Sequence, residues 1–129
     1  MIALDTNVLI RILVDDEAQA EQVGLARDFA KKHSHLFIPQ IVQVETAWVL
    51  GSAYDLKKSE IIRVLEHLRN NTAFVLQNAE IYEEGLSAYR KGGADFSDYL
   101  IEAESRAKKS QLVTFDKKLA RLGGVTLLG

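Results

Sequence analysis

The chain has 129 residues, 47% of them hydrophobic and 26% charged, which fits one globular domain spanning residues 1–129 with a core of its own. It contains no cysteine, which excludes disulfides and thiolate metal sites, and its net charge of −2 excludes a global basic field for nucleic acid. No apolar run approaches the ~18 residues of a membrane span and no signal-peptide pattern opens the chain, so a cytoplasmic protein is expected.

In chain order, short apolar runs at Ile2–Leu4, Leu36–Ile38, Ala73–Leu76, Leu112–Phe115 and Val125–Leu128 predict strands. Between them, helical spacing predicts helices near Asn7–Val14, Glu17–His33, Gln40–Tyr54, Lys58–Asn70, Ala79–Lys91 and Ser97–Lys109. Asp55 and Ser59 read as caps around one helix–helix turn, and Gly92-Gly93 as the stop of another helix. Strand–helix alternation implies an α/β fold: a three-layer α/β/α sandwich around a central, mainly parallel sheet of four to five strands. In such sheets ligands bind beyond the carboxyl ends of the strands. Asp5 follows the first strand directly, and Asp116 follows "LVTF" directly.

Each acid has a plain structural role to weigh against chemistry. Asp5 can cap the helix beginning at Thr6 or Asn7, and Asp116 can cap "KKLARL". Asp95 and Asp98, in "GGADFSDYLIEAES", can favour a helix dipole from its first turn. Glu45, in "PQIVQVETAWVL", falls on the stripe of Ile41, Val44, Trp48 and Ser52, where a lone carboxylate would need a buried Arg or Lys. Taken together, carboxylates gathered at one sheet edge repel each other unless a divalent cation joins them. Carboxylates and water suit Mg²⁺ or Mn²⁺, and such a site suits hydrolysis at phosphate. Thr6, Asn7, Ser97 and Thr114 supply neutral groups able to orient the acids. His33, His35 and His67 lack paired spacing and read as non-ligands. Trp48, Tyr54, Phe74, Tyr82 and Tyr89 read as core or dimer interface rather than base-stacking platforms.

Four stretches, "ALDTNVLI", "P…VQVETAWVL", "ADFSDYLIEAES" and "LVTFDKKL", together resemble the PIN-domain nucleases, specifically the VapC-type ribonuclease toxins of type II toxin–antitoxin systems. The resemblance covers essentially the whole chain. It implies a metal-dependent endoribonuclease whose acidic quartet is Asp5, Glu45, Asp98 and Asp116, with Asp95 as an auxiliary acid. Asp98 is preferred to Asp95 because it directly precedes "YLIEA". Thr6 and Asn7 match the family's polar pair, and Thr114 its hydroxyl residue before the last acid; Tyr99 departs from the pattern, standing where a small residue is commoner. The implied cofactor is Mg²⁺, with Mn²⁺ as a substitute. The implied partners are an RNA substrate gripped by Arg11, Lys91, Lys117 and Lys118, a second copy of the chain, and a VapB-like antitoxin forming a heterotetramer or larger assembly. Two alternatives stay open: a PIN-like nuclease of RNA processing without an antitoxin, and a phosphoaspartate module using Mg²⁺. The absence of a second Asp two residues after Asp5, where Asn7 stands, counts against the latter.

Overall fold

A computed structural model describes residues 1–129. The elements run β1 (Ile2–Ala3), α1 (Thr6–Leu13), α2 (Ala20–Lys31), β2 (Leu36–Ile38), α3 (Gln40–Ser52), α4 (Lys58–Asn70), β3 (Phe74–Leu76), α5 (Ala79–Lys91), α6 (Phe96–Ala107), β4 (Val113–Thr114) and β5 (Thr126–Leu127). They fall into two compact units, Met1–Gln77 and Asn78–Gly129. No helix is long and apolar enough to cross a membrane.

In the first unit the strands pair in parallel in the order β1-β2-β3, with Ile2 opposite Leu36 and Leu36 opposite Phe74. Parallel neighbours need long crossovers. Helices α1 and α2 join β1 to β2, and α3 and α4 join β2 to β3. Leu9, Ile10, Leu36, Ile38, Leu50, Leu65 and Leu68 are almost wholly buried. Burial stabilises each by about 1.5–3 kcal/mol. Helix α4 shows the pattern that specifies such a core: Ile61, Leu65 and Leu68, spaced four and three apart, make one buried stripe. The buried amide of Gln43 is satisfied, its Nε2 donating to the carbonyls of Ile38 at 3.2 Å and Gln77 at 2.9 Å, so that it ties the ends of β2 and β3.

In the second unit α5 and α6 pack through Tyr82, Leu86 and Tyr89 on one side and Phe96, Leu100 and Ala103 on the other. Phe96 sits between two tyrosines, with ring centroids 5.6 Å from Tyr82 and 5.9 Å from Tyr89. Gly85 permits the close approach, since a Cβ there would come within 2.5 Å of the Leu100 side chain. Strands β4 and β5 pair in parallel, Val113 opposite Thr126.

All five expected strands are present and every pairing is parallel, but the hydrogen bonds divide them into sheets of three and two strands. Strands β4 and β5 have two residues each, and their ladder bonds go to each other: Thr126 N–H to the Leu112 carbonyl and Leu128 N–H to that of Thr114. The helix expected from Glu17 opens instead as a 3-10 turn, Glu17–Gln19, that has no side-chain cap. The capping roles read for Asp55 and Ser59 are corrected. Asp55 occupies a left-handed turn at φ 54°, Ser59 lies inside α4, and Glu60 reaches back to the Lys57 N–H at 3.1 Å.

Candidate active site

In the first unit, β1 ends and the chain turns into α1 through Asp5. Its extended backbone and its Oδ1, accepting from the Val8 N–H at 3.0 Å, make it the N-cap. One carboxylate oxygen closes the helix and the other accepts no hydrogen bond. The next residue, Thr6, donates its hydroxyl to Glu45 Oε1 at 2.9 Å, tying the start of α1 to the middle of α3. Asn7 is exposed and makes no bond to either acid.

The placement of Glu45 among core residues is overturned. The buried face of α3 is Val42, Gln43, Thr46 and Leu50. Ile41 and Trp48, 69% and 70% exposed, share the solvent-facing stripe with Glu45. Helix α3 is apolar on nearly every side, so periodicity alone did not identify its inward face.

In the second unit, Asp98 stands in the first turn of α6 and its Oδ2 accepts from the Asp95 N–H at 3.1 Å. Asp116 follows β4. Its Oδ1 accepts from the Lys118 N–H at 2.8 Å, and its own N–H donates to Thr114 Oγ1 at 3.0 Å. The hydroxyl read as a neighbour of the last acid is therefore bonded to that residue's backbone. Ser97 forms no bond to an acid. Burial pushes the Asp98 carboxyl above the usual carboxylate range; the bond from Asp95 partly offsets this, and the negative charges of Asp95 and Asp116 raise it further. These three acids share one field.

None of Asp5, Glu45, Asp95, Asp98 and Asp116 is ion-paired. Glu102 is the opposite case. It is 5% exposed, and Arg106 binds both of its oxygens, Nε to Oε2 at 3.1 Å and a terminal nitrogen to Oε1 at 3.2 Å, while also reaching Glu84 at 3.3 Å. The pairing imagined for Glu45 thus exists, but at a residue that sequence spacing did not single out. Its signal was the i, i+4 spacing of Glu102 and Arg106.

The basic residues separate in the same way. Arg11 is not free to grip a backbone. Its guanidinium donates to Gln22 Oε1 at 2.9 Å and to the Tyr54 hydroxyl at 2.8 Å, and Tyr54 in turn donates to Asp16. Lys91 and Lys118 line a cavity of about 690 Å³ in the second unit together with Arg106, Arg121 and the acids Glu83 and Glu84. Lys117 is exposed. The ring of His33 lies against Phe29, that of His67 faces Phe74, and His35 bonds Ser34. Tyr82, Tyr89 and Phe74 are buried, whereas Trp48 is exposed.

The donors suit a hard divalent cation: they are carboxylate oxygens without cationic neighbours, supported by a hydroxyl and by backbone N–H groups. Within neither unit do three such side chains stand close enough to hold an ion by themselves. In the first unit Thr6 supports Glu45, and in the second the charges of Asp95 and Asp116 act on Asp98.

The chain resembles known proteins along nearly its whole length. The family model of the PIN domain matches residues 2–125. The VapC ribonuclease of Aquifex aeolicus (strain VF5) is 28% identical over 128 residues, covering 96% of this chain and 93% of that protein. The three-layer α/β/α architecture expected from the sequence is that of the matched domain. Strand-end acids, parallel pairings and a match over nearly the whole chain agree: the protein belongs to the PIN-domain family of nucleases.

Proposed function

We propose that this protein is the toxin of a type II toxin–antitoxin pair, a Mg²⁺-dependent endoribonuclease whose residues 1–129 act as one domain. The observation that carries the reading is the contrast in compensation. The buried Glu102 has its arginine, while the five acids that the family pattern marks have no cation. Of the five, Asp98 is the carboxylate that burial and the charges of Asp95 and Asp116 disfavour, a cost that a bound divalent ion removes.

In this reading Asp5, Glu45, Asp98 and Asp116 hold Mg²⁺, or Mn²⁺ in its place, and Asp95 is auxiliary. When bound, the ion activates water and neutralises charge on the phosphodiester. The protein's own part is orientation. Asp5 is fixed by the Val8 N–H, Glu45 by the Thr6 hydroxyl, Asp98 by the Asp95 N–H and Asp116 by the Lys118 N–H. Four acids held by neutral donors have no ion pair that a ligand would first have to displace. Water adds across the P–O3′ bond, leaving a 5′-phosphate and a 3′-hydroxyl. Lys91, Lys118 and Arg121 around their shared cavity, with the exposed Lys117, are suited to the RNA backbone.

A cytoplasmic VapB-like antitoxin and a second copy of the chain are the proposed protein partners, in a heterotetramer or larger assembly. The exposed Ile41 and Trp48 flanking Glu45 support burial by another polypeptide. The test is Asp5→Asn. The amide keeps an oxygen for the Val8 N–H, so the fold and thermal stability should persist while EDTA-sensitive cleavage of total RNA disappears. Undiminished cleavage by this variant would remove the acidic site from the mechanism. Growth arrest on expression, relieved by the same substitution and by a co-expressed VapB-like antitoxin, separates a toxin from an RNA-processing nuclease.

A further inference from the structure

We propose that Tyr99 is a positioning residue that preorganises the Asp98 carboxylate for metal, and that Gly92 is glycine in order to admit its hydroxyl. This rests on the reading of Asp98 as a metal ligand. Residues 92–95 lead from α5 into α6, and two successive peptide N–H groups of this connection end on two successive side chains of the helix. The Ala94 N–H donates to the Tyr99 hydroxyl oxygen at 3.2 Å, and the Asp95 N–H donates to Asp98 Oδ2 at 3.1 Å.

The two tethers are not equivalent. Asp95 is exposed, so its N–H can turn to water when the Asp98 carboxylate is drawn to a ligand. Ala94 is 4% exposed and Tyr99 1%, so the Ala94 N–H has no such alternative and stays on the hydroxyl. Tyr99 is the permanent tether and Asp98 the exchangeable one. With the permanent tether in place, the turn carrying Asp95 and Asp98 keeps its shape against the mutual repulsion of these acids. Without it the turn relaxes outward, and metal must gather the carboxylates again.

Gly92 is the counterpart of this arrangement. Its φ of −107° and ψ of 175° are open to any residue, so backbone freedom does not call for glycine. A Cβ at this position would fall on the Tyr99 hydroxyl and 2.7 Å from Cζ of the same ring. The side chain of Tyr99, unusual for the motif, and the missing side chain of Gly92 form one fitted pair.

Tyr99→Phe isolates the tether, since it keeps the ring and removes only the acceptor. In the full-length, metal-free chain, exchange of the Ala94 amide with solvent should quicken by about tenfold or more, the scale of a buried N–H left without its partner. The Mg²⁺ concentration giving half of the maximal thermal upshift, and half-maximal cleavage, should rise by about five- to tenfold, with the rate at saturating Mg²⁺ close to that of the parent. A parental Mg²⁺ midpoint in a variant whose Ala94 amide exchanges fast would overturn the positioning role, and unchanged exchange would overturn the tether itself. Asp98→Asn in the same assays tells this failure from that of the metal reading: parental Mg²⁺ response and cleavage in Asp98→Asn would remove Asp98 as a ligand. Gly92→Ala completes the test. It should lower thermal stability strongly in the parent and little in a Tyr99→Ala background, and equal losses in the two would refute the pairing.

Discussion

Two successive turns of helix α6 treat a carboxylate in opposite ways. At the N-terminal turn, half-buried Asp98 faces Asp95 and Asp116, accepts one backbone N–H and has no cation. One turn on, Glu102 is more deeply buried but has Arg106 on both of its oxygens. Depth of burial therefore does not separate these two acids; compensation does, and the uncompensated one is the acid proposed as a metal ligand. An acid whose charge is already neutralised by arginine is a poor ligand for Mg²⁺, and one held only by neutral donors in the field of other acids is a good one.

The largest expected effect follows from breaking the uncompensated end. Asp98→Asn should reduce Mg²⁺-dependent cleavage by about 10³-fold or more, beyond the 10- to 100-fold typical of residues that only support a ligand. The same change should raise the melting temperature of the metal-free protein. The sign follows from the direction of the shift. Folding lifts the Asp98 carboxyl above its unfolded value, so the ionised form is disfavoured in the native state. That destabilisation is complete above the raised value and fades as pH falls through it, vanishing below the ordinary carboxylate range. The amide of the Asp98→Asn variant keeps an oxygen for the Asp95 N–H and carries no charge. The stability gap between variant and parent should therefore be open at neutral pH and close on acidification, and Mg²⁺ should stabilise the parent alone. Thermal melts from pH 7 downwards, with and without Mg²⁺, check all three; a parent more stable than the variant at neutral pH without metal would contradict the argument.

The compensated end gives the next effect, of opposite character. Arg106→Ala leaves Glu102 buried without its partner. Because Arg106 is itself about half exposed, the loss should be on the order of 2 kcal/mol rather than the larger value of a fully buried pair. Cleavage per folded molecule should hold, since this guanidinium is already committed to Glu102 and Glu84. Denaturant unfolding beside a cleavage assay separates the two. A loss of rate without a loss of stability would place Arg106 with the substrate.

What the sequence revealed divides along the same physical line. Helices α4 and α5 have the bounds that spacing predicts, because each carries one apolar stripe and a polar remainder. Asp5 was legible as a strand-end acid because a helix starting at the next residue makes it the N-cap with one oxygen to spare, and Asp116 because it closes the turn after β4 through the Lys118 N–H. Glu45 was assigned to the site by the family pattern but to the wrong face by periodicity. On α3, Ile41 and Trp48 make a stripe as apolar as the truly buried Val42 and Leu50, and only packing chooses between them. Arg11 and Tyr99 were beyond reach for another reason. Their partners, Tyr54 and Gln22 for one and the Ala94 N–H for the other, are fixed by tertiary approach and carry no local spacing signal.

The far end of α6 supplies the smallest effect and a control on the comparison. There the helix closes in a Schellman arrangement, the Ser110 N–H donating to the Ser105 carbonyl at 2.9 Å and the Lys109 N–H to that of Arg106 at 3.0 Å. The motif requires a left-handed residue at Lys109, whose φ is 57°, a conformation in which a side chain is strained and glycine is not. Lys109→Gly should therefore stabilise the protein by about 0.5–1 kcal/mol, read as a small rise in denaturant midpoint at constant slope. Because Lys109 lies at the opposite end of the helix from Asp98, the Mg²⁺ midpoint and the cleavage rate should stay at parental values. If this stabilisation moved the Mg²⁺ midpoint, overall helix stability would be setting metal affinity, and the contrast drawn between Asp98 and Glu102 would lose its local meaning.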